Sequence, residues 1–571
     1  MDNIQIASTL ETIGHLLDIL GENSFKVRAY ENAARAIEGL EVGAAAMARE
    51  GKLKGIPGVG DGIAKKVDEL VQTGRMTYLE ELKSKIPIGL LDILRIPSVG
   101  PKKVRALWQE LGVTSLATLE KACTDHRVRM LKGFGEKTEY KILEGIKFVA
   151  VNAGRFRLDQ VIPVARTLLT YVRSAPMVAR TEVCGSIRRW KETIRDADIL
   201  ASSDAPEQVI AHFLKADGIK TVLGQGPTKC SVVLNSGLQV DLRVVKDDEF
   251  APALAYFTGS KEHNVLLRAR AQRIGLSVNE YGVLAGDIRQ KVASEEELYA
   301  MLGLAFVPPE LREGRDEIDL AEKGALPTLV RREDVIGVLH VHSNWSDGTA
   351  DIGEMAEKAR KQGLKYMGLS DHSKAGQAYN NGMTEKRLAQ QMEEVARLNQ
   401  GWTDFRILMG LECDILPDGT LDMDAELLSK LDFLIGSIHS RFDMPEPEMT
   451  DRICKALGNN NLDMLGHPTG RHLLSRDAYK VDLERVIQTA ARHRKMIELN
   501  ANPSRLDLDA AHVRRARELG VMVSINPDAH SVQGMDDLEY GVATARRAGC
   551  SAKDVLNSRP MDEALKLLNR G

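Results

Sequence analysis

Along residues 1–150, apolar positions fall in short helical runs broken by glycine-rich turns, with almost no alternation. That pattern predicts short helices and no sheet. From residue 155 it changes. A run over 161–174 with many β-branched residues predicts a helix. Alternating segments at 182–184, 197–201, 231–234 and Gln239–Val245 follow, predicting a small α+β palm-like unit. Residues 251–310 mix helix and short strand. Residues 311–333 are charged, lack an apolar period and contain a proline, as a linker would. Beyond 334, short apolar runs (337–341, 366–370, 406–413, 433–439) alternate with helical stretches such as 351–362 and 384–399. Such alternation predicts a parallel β/α barrel.

The expected organisation is therefore multidomain. A helical domain spans 1–84, a second helical subdomain 85–154 and an α+β palm-like unit 155–250. A mixed helix-and-strand subdomain spans 251–315, a linker 316–333 and the barrel 334–571. The length of 571 residues agrees, since one core rarely serves so long a chain.

Hydrophobic content of 43% and charged content of 28% fit a soluble globular protein. The net charge of −4 averages unlike regions: residues 51–157 carry 20 Lys and Arg against 12 Asp and Glu. A basic block in an acidic chain suits a polyanion. Six scattered cysteines form no CxxC pair, which argues against a zinc ribbon or disulfide framework. No signal peptide and no apolar stretch of about 18 residues is present, so a cytoplasmic location without membrane contact is expected.

Chemistry concentrates first at Gly185-Ser186-Ile187-Arg188-Arg189 and the following Asp196-Ala197-Asp198. On a strand, Asp196 and Asp198 face the same way, roughly 6.6 Å apart along the chain, suited to divalent metal. Gly185 and Ser186 offer backbone N–H groups to a phosphate, with Arg188 and Arg189 beside it. Asp241 lies on another alternating segment. Three carboxylates and a phosphate cradle describe two-metal phosphoryl or nucleotidyl transfer.

In the basic block, Gly58-Val59-Gly60 precedes a predicted helix bearing Lys65 and Lys66. Val99-Gly100-Pro101 precedes Lys102 and Lys103, and Gly133-Phe134-Gly135 is a weaker third copy. Backbone N–H groups, a helix N-terminus and a lysine can hold a DNA phosphate without reading bases. These turns resemble helix-hairpin-helix motifs.

Together, residues 1 to about 315 resemble the DNA polymerase X family, the family of DNA polymerase beta. The resemblance implies that Asp196, Asp198 and Asp241 bind two Mg²⁺ or Mn²⁺ ions. It makes Gly185, Ser186 and Arg189 the triphosphate-binding turn, and Tyr256-Phe257-Thr258-Gly259-Ser260 the nucleotide pocket. Asn264 and Arg268, i,i+4 neighbours on a helix, would face the nascent pair. Lys261 departs from the acidic residue of polymerase beta members and would add a cation near the nucleotide. A deoxyribose-phosphate lyase is a further implication, with Lys66 as Schiff-base nucleophile and Lys26 and Tyr30 in support, although Gly62 replaces a supporting lysine.

Nine of the 13 histidines lie after residue 333. His340 and His342 share one face of a predicted strand, with Asp347 in the next turn. His372, Glu412, His439, His467, Asp528 and His530 end other predicted strands. In a β/α barrel those ends meet at one face, and mixed imidazole and carboxylate donors suit Mn, Zn or Fe. The pattern is similar to the PHP (polymerase and histidinol phosphatase) domain, a distorted barrel with three metals. By that resemblance His340, His342, Glu412 and Asp528 hold one metal. Asp347, His372 and His530 hold a second, and His439, His467 and bridging Glu412 the third.

The expected protein is a monomeric polymerase that fills short gaps in gapped or nicked DNA with deoxynucleoside triphosphates. Its PHP nuclease would have 3′–5′ exonuclease and abasic-site endonuclease or 3′-phosphatase activity. The rival readings are a phosphatase of small phosphoesters with a DNA-binding module, and a non-catalytic DNA-binding scaffold.

Overall fold

The computed structural model describes residues 3–568 apart from 39, 41–42, 98 and 379. Ser98, inside the second glycine turn, thus lies outside the described residues. One compact unit ends at Ala153; a second begins at Gly154 and holds almost all of the rest.

The first unit is helical throughout its described residues. Helical spacing turns Ile6, Leu10, Ile13 and Leu17 of Asn3–Leu20 inward, to share a core with Ala33, Ala34 and Ile37 of Ser24–Glu38. Gly74 and Gly112 end the helices Asp61–Thr73 and Pro101–Leu111 in the left-handed conformation, at φ 71° and 69°.

The second unit opens with a five-stranded sheet. Across it run Arg180–Val183, Asp196–Ser202, Gln239–Val245, Lys229–Leu234 and Ile219–Gln225. Val240, Leu242 and Val244 alternate inward to share the core with helices Leu158–Arg173 and Pro206–Phe213. Period-2 geometry therefore turns Gln239, Asp241 and Arg243 to the opposite face. Asp196–Ser202 pairs in parallel with Gln239–Val245, which sets Asp198 opposite Asp241.

Helices Phe250–Thr258, Lys261–Arg273 and Glu295–Met301 then pack with a three-stranded antiparallel sheet. Residues 316–333, expected as a linker, depart from that expectation. Glu317–Glu322 is a helix whose Ile318 and Ala321 are buried with Leu267, Ala271 and Tyr299. Two inward positions suffice on a helix this short, which is why no apolar period shows.

The C-terminal part is a distorted barrel of short parallel strands in two sheets. Gly337–Val338, Tyr366–Leu369 and Arg406–Met409 form one. Glu412–Asp414, Ile435–Ser437, Met464–Leu465, Met496–Asn500 and Val523–Asn526 form the other. Single bridges, His372 to Glu412 and Val341 to Ala529, join them. The expected strand over 406–413 is broken at Gly410 and Leu411. There the backbone crosses the Phe433 ring so closely that a Cβ on Gly410 would meet it at 2.2 Å. The expected strand over 337–341 is likewise short, ending at Val338 apart from the Val341 bridge. All six cysteines are free, and no helix among the described residues is long and apolar enough to cross a membrane.

Candidate active sites

The three glycine turns share one backbone hydrogen bond and one kind of helix cap. Val59, Val99 and Phe134 each donate an N–H to the carbonyl three residues back, at 3.0, 3.1 and 3.0 Å. Gly60, Gly100 and Gly135 then cap helices in extended backbone. A Cβ on any of these caps would meet nothing within 4 Å, so there is open space beside each helix N-terminus, where a phosphate could approach. The third turn, weaker in sequence, is built like the others. Gly58 has φ 83°, which only glycine adopts without strain. Lys65 and Lys102 are exposed on the helices that follow. Lys66 and Lys103 are half-buried there. Lys66 Nζ donates to the Gly62 carbonyl at 3.1 Å and lies 4.7 Å over the Tyr78 ring. Lys26 and Tyr30 approach the same ring, at 5.7 and 6.1 Å. Tyr78, missed in the sequence, is thus the centre on which the three lyase candidates converge.

On the palm, Asp196 and Asp198 lie on the face that carries Asp241. Gln239 Nε2 holds the Asp241 carboxylate at 3.0 and 3.2 Å. Burial, then Asp196 and Asp241, push the Asp198 carboxyl up to about 7. Crowding of this kind is what a divalent cation relieves. The three aspartates are not among the described groups whose donor atoms all lie within 4.8 Å of one another. Gly185 opens a short helix, Gly185–Arg188, rather than a simple turn. Its φ is 59°, and a Cβ there would meet Asp198 Oδ2 at 2.0 Å, so no other residue fits. Ser186 follows it in the same helix. A cleft of about 210 Å³ is lined by Asp198, Ser231, Asp241, Arg243 and Phe257.

Arg188, expected to add charge at the phosphate, is engaged elsewhere. Its guanidinium binds Glu295 at 2.6 and 3.0 Å and Thr258 Oγ1 at 2.7 Å. Arg189 donates to the Thr258 carbonyl and reaches Glu313 at 3.4 Å. Phe257 lies under Arg243 at 4.6 Å and meets Tyr256 edge-on at 5.3 Å. Gly259, at φ 68°, precedes Ser260, whose Oγ caps the helix Lys261–Arg273 through the His263 N–H. Lys261 and Arg268 are exposed. Asn264 donates to the Tyr256 carbonyl at 2.8 Å, which ties this helix to the aromatic pair.

In the barrel, Glu412 is the hub. Its carboxylate lies 3.5 Å from His340, 3.7 Å from His342, 2.9 Å from His372, 3.3 Å from His439 and 2.8 Å from His467. Asp528 lies 3.5 Å from His340 and 3.3 Å from His342. Asp347 lies 3.5 Å from His372 and 3.4 Å from His530. Three groups of donor atoms fall within 4.8 Å: His342, Asp347, His372 and His530; His340, His342 and Glu412; and His372, Glu412 and His439. His342 and His372 therefore each belong to two groups, where the resemblance gives each to one.

The donors fit metal on two grounds. His340 Nε2, both nitrogens of His342 and His467 Nδ1 are buried without a hydrogen-bond partner. Uncompensated buried nitrogens are costly, and a cation supplies the missing partner. Second, His467 and Asp528 hold positive φ, 22° and 51°, a strain typical of functional sites.

An outer layer orients these ligands. Glu498 accepts from His340 Nδ1 at 2.6 Å, and Asp414 from His439 Nδ1 at 2.5 Å. Asn500 donates to Asp528 at 3.0 Å, and Asn526 to Glu498 at 3.1 Å. Arg505 lies 3.3 Å from Asp528. Burial alone would discharge His340, but Glu498, Asp528 and Glu412 hold it well above its usual range. His342 is pushed down to about 3 by burial and by His530 and His372. Sequence reading missed this layer, although Ile-Glu-Leu-Asn over 497–500 carried the signal: polar residues alternating inside a buried strand.

Four family models match successive segments of the chain. A helix-hairpin-helix domain matches residues 1–76, a SAM-like helix-hairpin-helix tandem 90–147, the DNA polymerase beta thumb 253–313 and the PHP domain 339–502. The DNA polymerase/3′-5′ exonuclease PolX of Bacillus subtilis is 38% identical over the whole of both chains. A probable phosphatase of Thermoanaerobacter is 28% identical over 39% of this chain and 90% of its own. Rat DNA polymerase lambda is 24% identical over 54% of this chain and 56% of its own. Identity with PolX from end to end, with the thumb and PHP matches in their places, shows that this chain belongs to the bacterial DNA polymerase X family with a C-terminal PHP domain.

Proposed function

We propose that this protein fills short gaps in DNA and removes nucleotides from DNA 3′ ends, at two separate sites in one chain. The reading rests above all on two donor sets of different chemistry: three aspartates on one face of the palm sheet, and six histidines with three carboxylates in the barrel. Gap filling would serve DNA repair.

In the polymerase, Asp196, Asp198 and Asp241 would hold two Mg²⁺ or Mn²⁺ ions. When bound, these ions neutralise the transferring α-phosphate. Asp241, fixed by Gln239, would help draw the proton from the primer 3′-hydroxyl as it attacks. Gly185, Ser186 and Arg189 would hold the triphosphate, so Arg189 must exchange Glu313 for it. Tyr256 and Phe257 would pack on the sugar, with Lys261 and Arg268 facing the nucleotide and template.

In the barrel, His340, His342, Glu412 and Asp528, then Asp347, His372 and His530, then His439 and His467 with Glu412, would hold three Mn, Zn or Fe ions. When bound, such a cluster activates the attacking water and clamps the phosphoester. Arg505 would neutralise the phosphate beside Asp528. The substrate test compares gapped duplex, single-stranded DNA and a small phosphomonoester under Mn²⁺. Faster turnover of the small ester than of DNA would make the barrel a small-molecule phosphatase.

Cation preference should separate the two activities. Six of the nine barrel donors are imidazoles, which suit Mn²⁺ better than Mg²⁺, whereas the palm offers only oxygens. For chelator-stripped enzyme, replacing Mn²⁺ by Mg²⁺ should cut DNA shortening steeply and leave extension running. Equal shortening in Mg²⁺ alone would exclude the histidines as catalytic ligands.

The glycine turns predict sequence-independent DNA binding. Gly60 has ordinary extended backbone and open space around it, so Gly60→Val should fold normally and only obstruct the phosphate. Affinity for any duplex should drop, and the slope of log affinity against log salt should fall by about one. Unchanged affinity and slope would count against these turns.

A further inference from the structure

Where the helix Glu317–Glu322 meets the barrel, a cavity of about 40 Å³ is lined by four arginines, Arg315, Arg514, Arg517 and Arg547. Three carboxylates also line it, and each is already engaged. Glu313 is held by Lys191 at 2.7 Å and Arg189 at 3.4 Å. Asp316 takes both guanidinium nitrogens of Arg514, at 3.0 and 2.7 Å. Glu317 takes His263 at 2.8 Å and the Gly314 and Arg315 N–H groups at 2.7 and 2.6 Å.

The cations are not balanced in the same way. Arg517 donates to the Gly549 carbonyl. Arg547, the last residue of the helix Leu538–Arg547, is only 8% exposed, and its Nε and Nη1 are buried with no acceptor. Burial and Arg547 both lower Arg189, with Glu313 opposing them, so two guanidinium groups bear on one carboxylate. The cavity is short of one acceptor of negative charge. A buried cation in that position is stable only with a counterion.

We propose that this cavity is an anion site in which Arg547, with Arg315 and Arg517, binds one tetrahedral oxyanion: a free phosphate or the terminal phosphate of a pyrophosphate. The planar fork of an arginine matches two phosphate oxygens, and four arginines exclude a cation. The space suits one such group. A water needs about 10–15 Å³ by the same measure, so a phosphate fits and a nucleoside does not. The site is separate from both donor sets and does not depend on the reactions assigned to them. Glu313 links it to Arg189, so its occupancy bears on the arm proposed to hold the triphosphate.

The test is a binding measurement on the full-length protein stripped of divalent cations, which removes phosphate binding at metals. Thermal unfolding is followed while sodium phosphate or sodium pyrophosphate is added, against sodium chloride at matched ionic strength. Wild type should show a saturable rise beyond that in chloride. Arg547→Met keeps the bulk and removes the fork; it should weaken the phosphate response at least about tenfold, the loss of one charge-assisted pair. Arg315→Met, at the exposed rim, cannot perturb folding much and should weaken it several-fold, so it decides the matter if Arg547→Met does not fold. A tighter response to pyrophosphate names the polymerase product as the source, and an equal one names free phosphate. A wild-type response no larger than that to chloride, or an unchanged response in the variants that fold, would overturn the proposal.

Discussion

Asp198→Asn lowers primer extension by about a thousandfold or more and leaves 3′-end trimming within about twofold of wild type. Asp198 stands opposite Asp241 in the parallel pair and faces the same way as Asp196. Asparagine keeps the volume packed against Gly185 while removing the charge, so the change reports on cation binding rather than on packing. A pH effect follows from the same crowding. Because Asp198 is raised to about 7, first by burial and then by its two neighbours, protons compete with cations there as pH falls. The Mg²⁺ needed for half-maximal extension should therefore rise between about pH 8 and about pH 6. A flat Mg²⁺ requirement across that range would remove Asp198 from the cation site.

Glu412→Gln has the opposite effect: trimming falls by about a thousandfold or more, and extension stays within about twofold. The carboxylate is 1% exposed and touches five imidazoles, the closest at 2.8 and 2.9 Å. Burial would raise its pKa, but His439, His372 and His340 hold it well below the usual carboxylate range. Glutamine removes the one negative charge that all these imidazoles share. Metal removal should act in the same direction. Chelation leaves the buried nitrogens of His340, His342 and His467 without partners, so the stripped protein should unfold at lower temperature, and added Mn²⁺ should restore it. Retained extension in Glu412→Gln is the internal control for folding.

The features legible in sequence were those with strict periodicity. Gln239–Val245 alternates so regularly that its limits agree with the expectation, and the strand-end histidines converge because a β/α barrel leaves them no other face. What stayed hidden depended on contacts distant in sequence. The break at Gly410 is set by Phe433, and nothing around Gly410 announces it. Arg188 and Arg189 are adjacent and chemically alike, yet Glu295 takes one and Glu313 the other, each more than a hundred residues away. The helix Glu317–Glu322 escaped notice because it buries only one short stripe, and its charged residues read as solvated. Glu498 was hidden because a carboxylate inside a buried strand makes sense only once His340 is seen beside it.

The most direct test of two independent sites is one reaction on a gapped duplex with a 5′-labelled primer, deoxynucleoside triphosphates and Mn²⁺, resolving longer and shorter products together. Wild type should give both. Asp198→Asn should give only shortened primers, Glu412→Gln only extended ones, and the double variant the unchanged primer. A folded Asp198→Asn protein that neither extends nor shortens the primer, or a Glu412→Gln protein that still shortens it, would contradict the account.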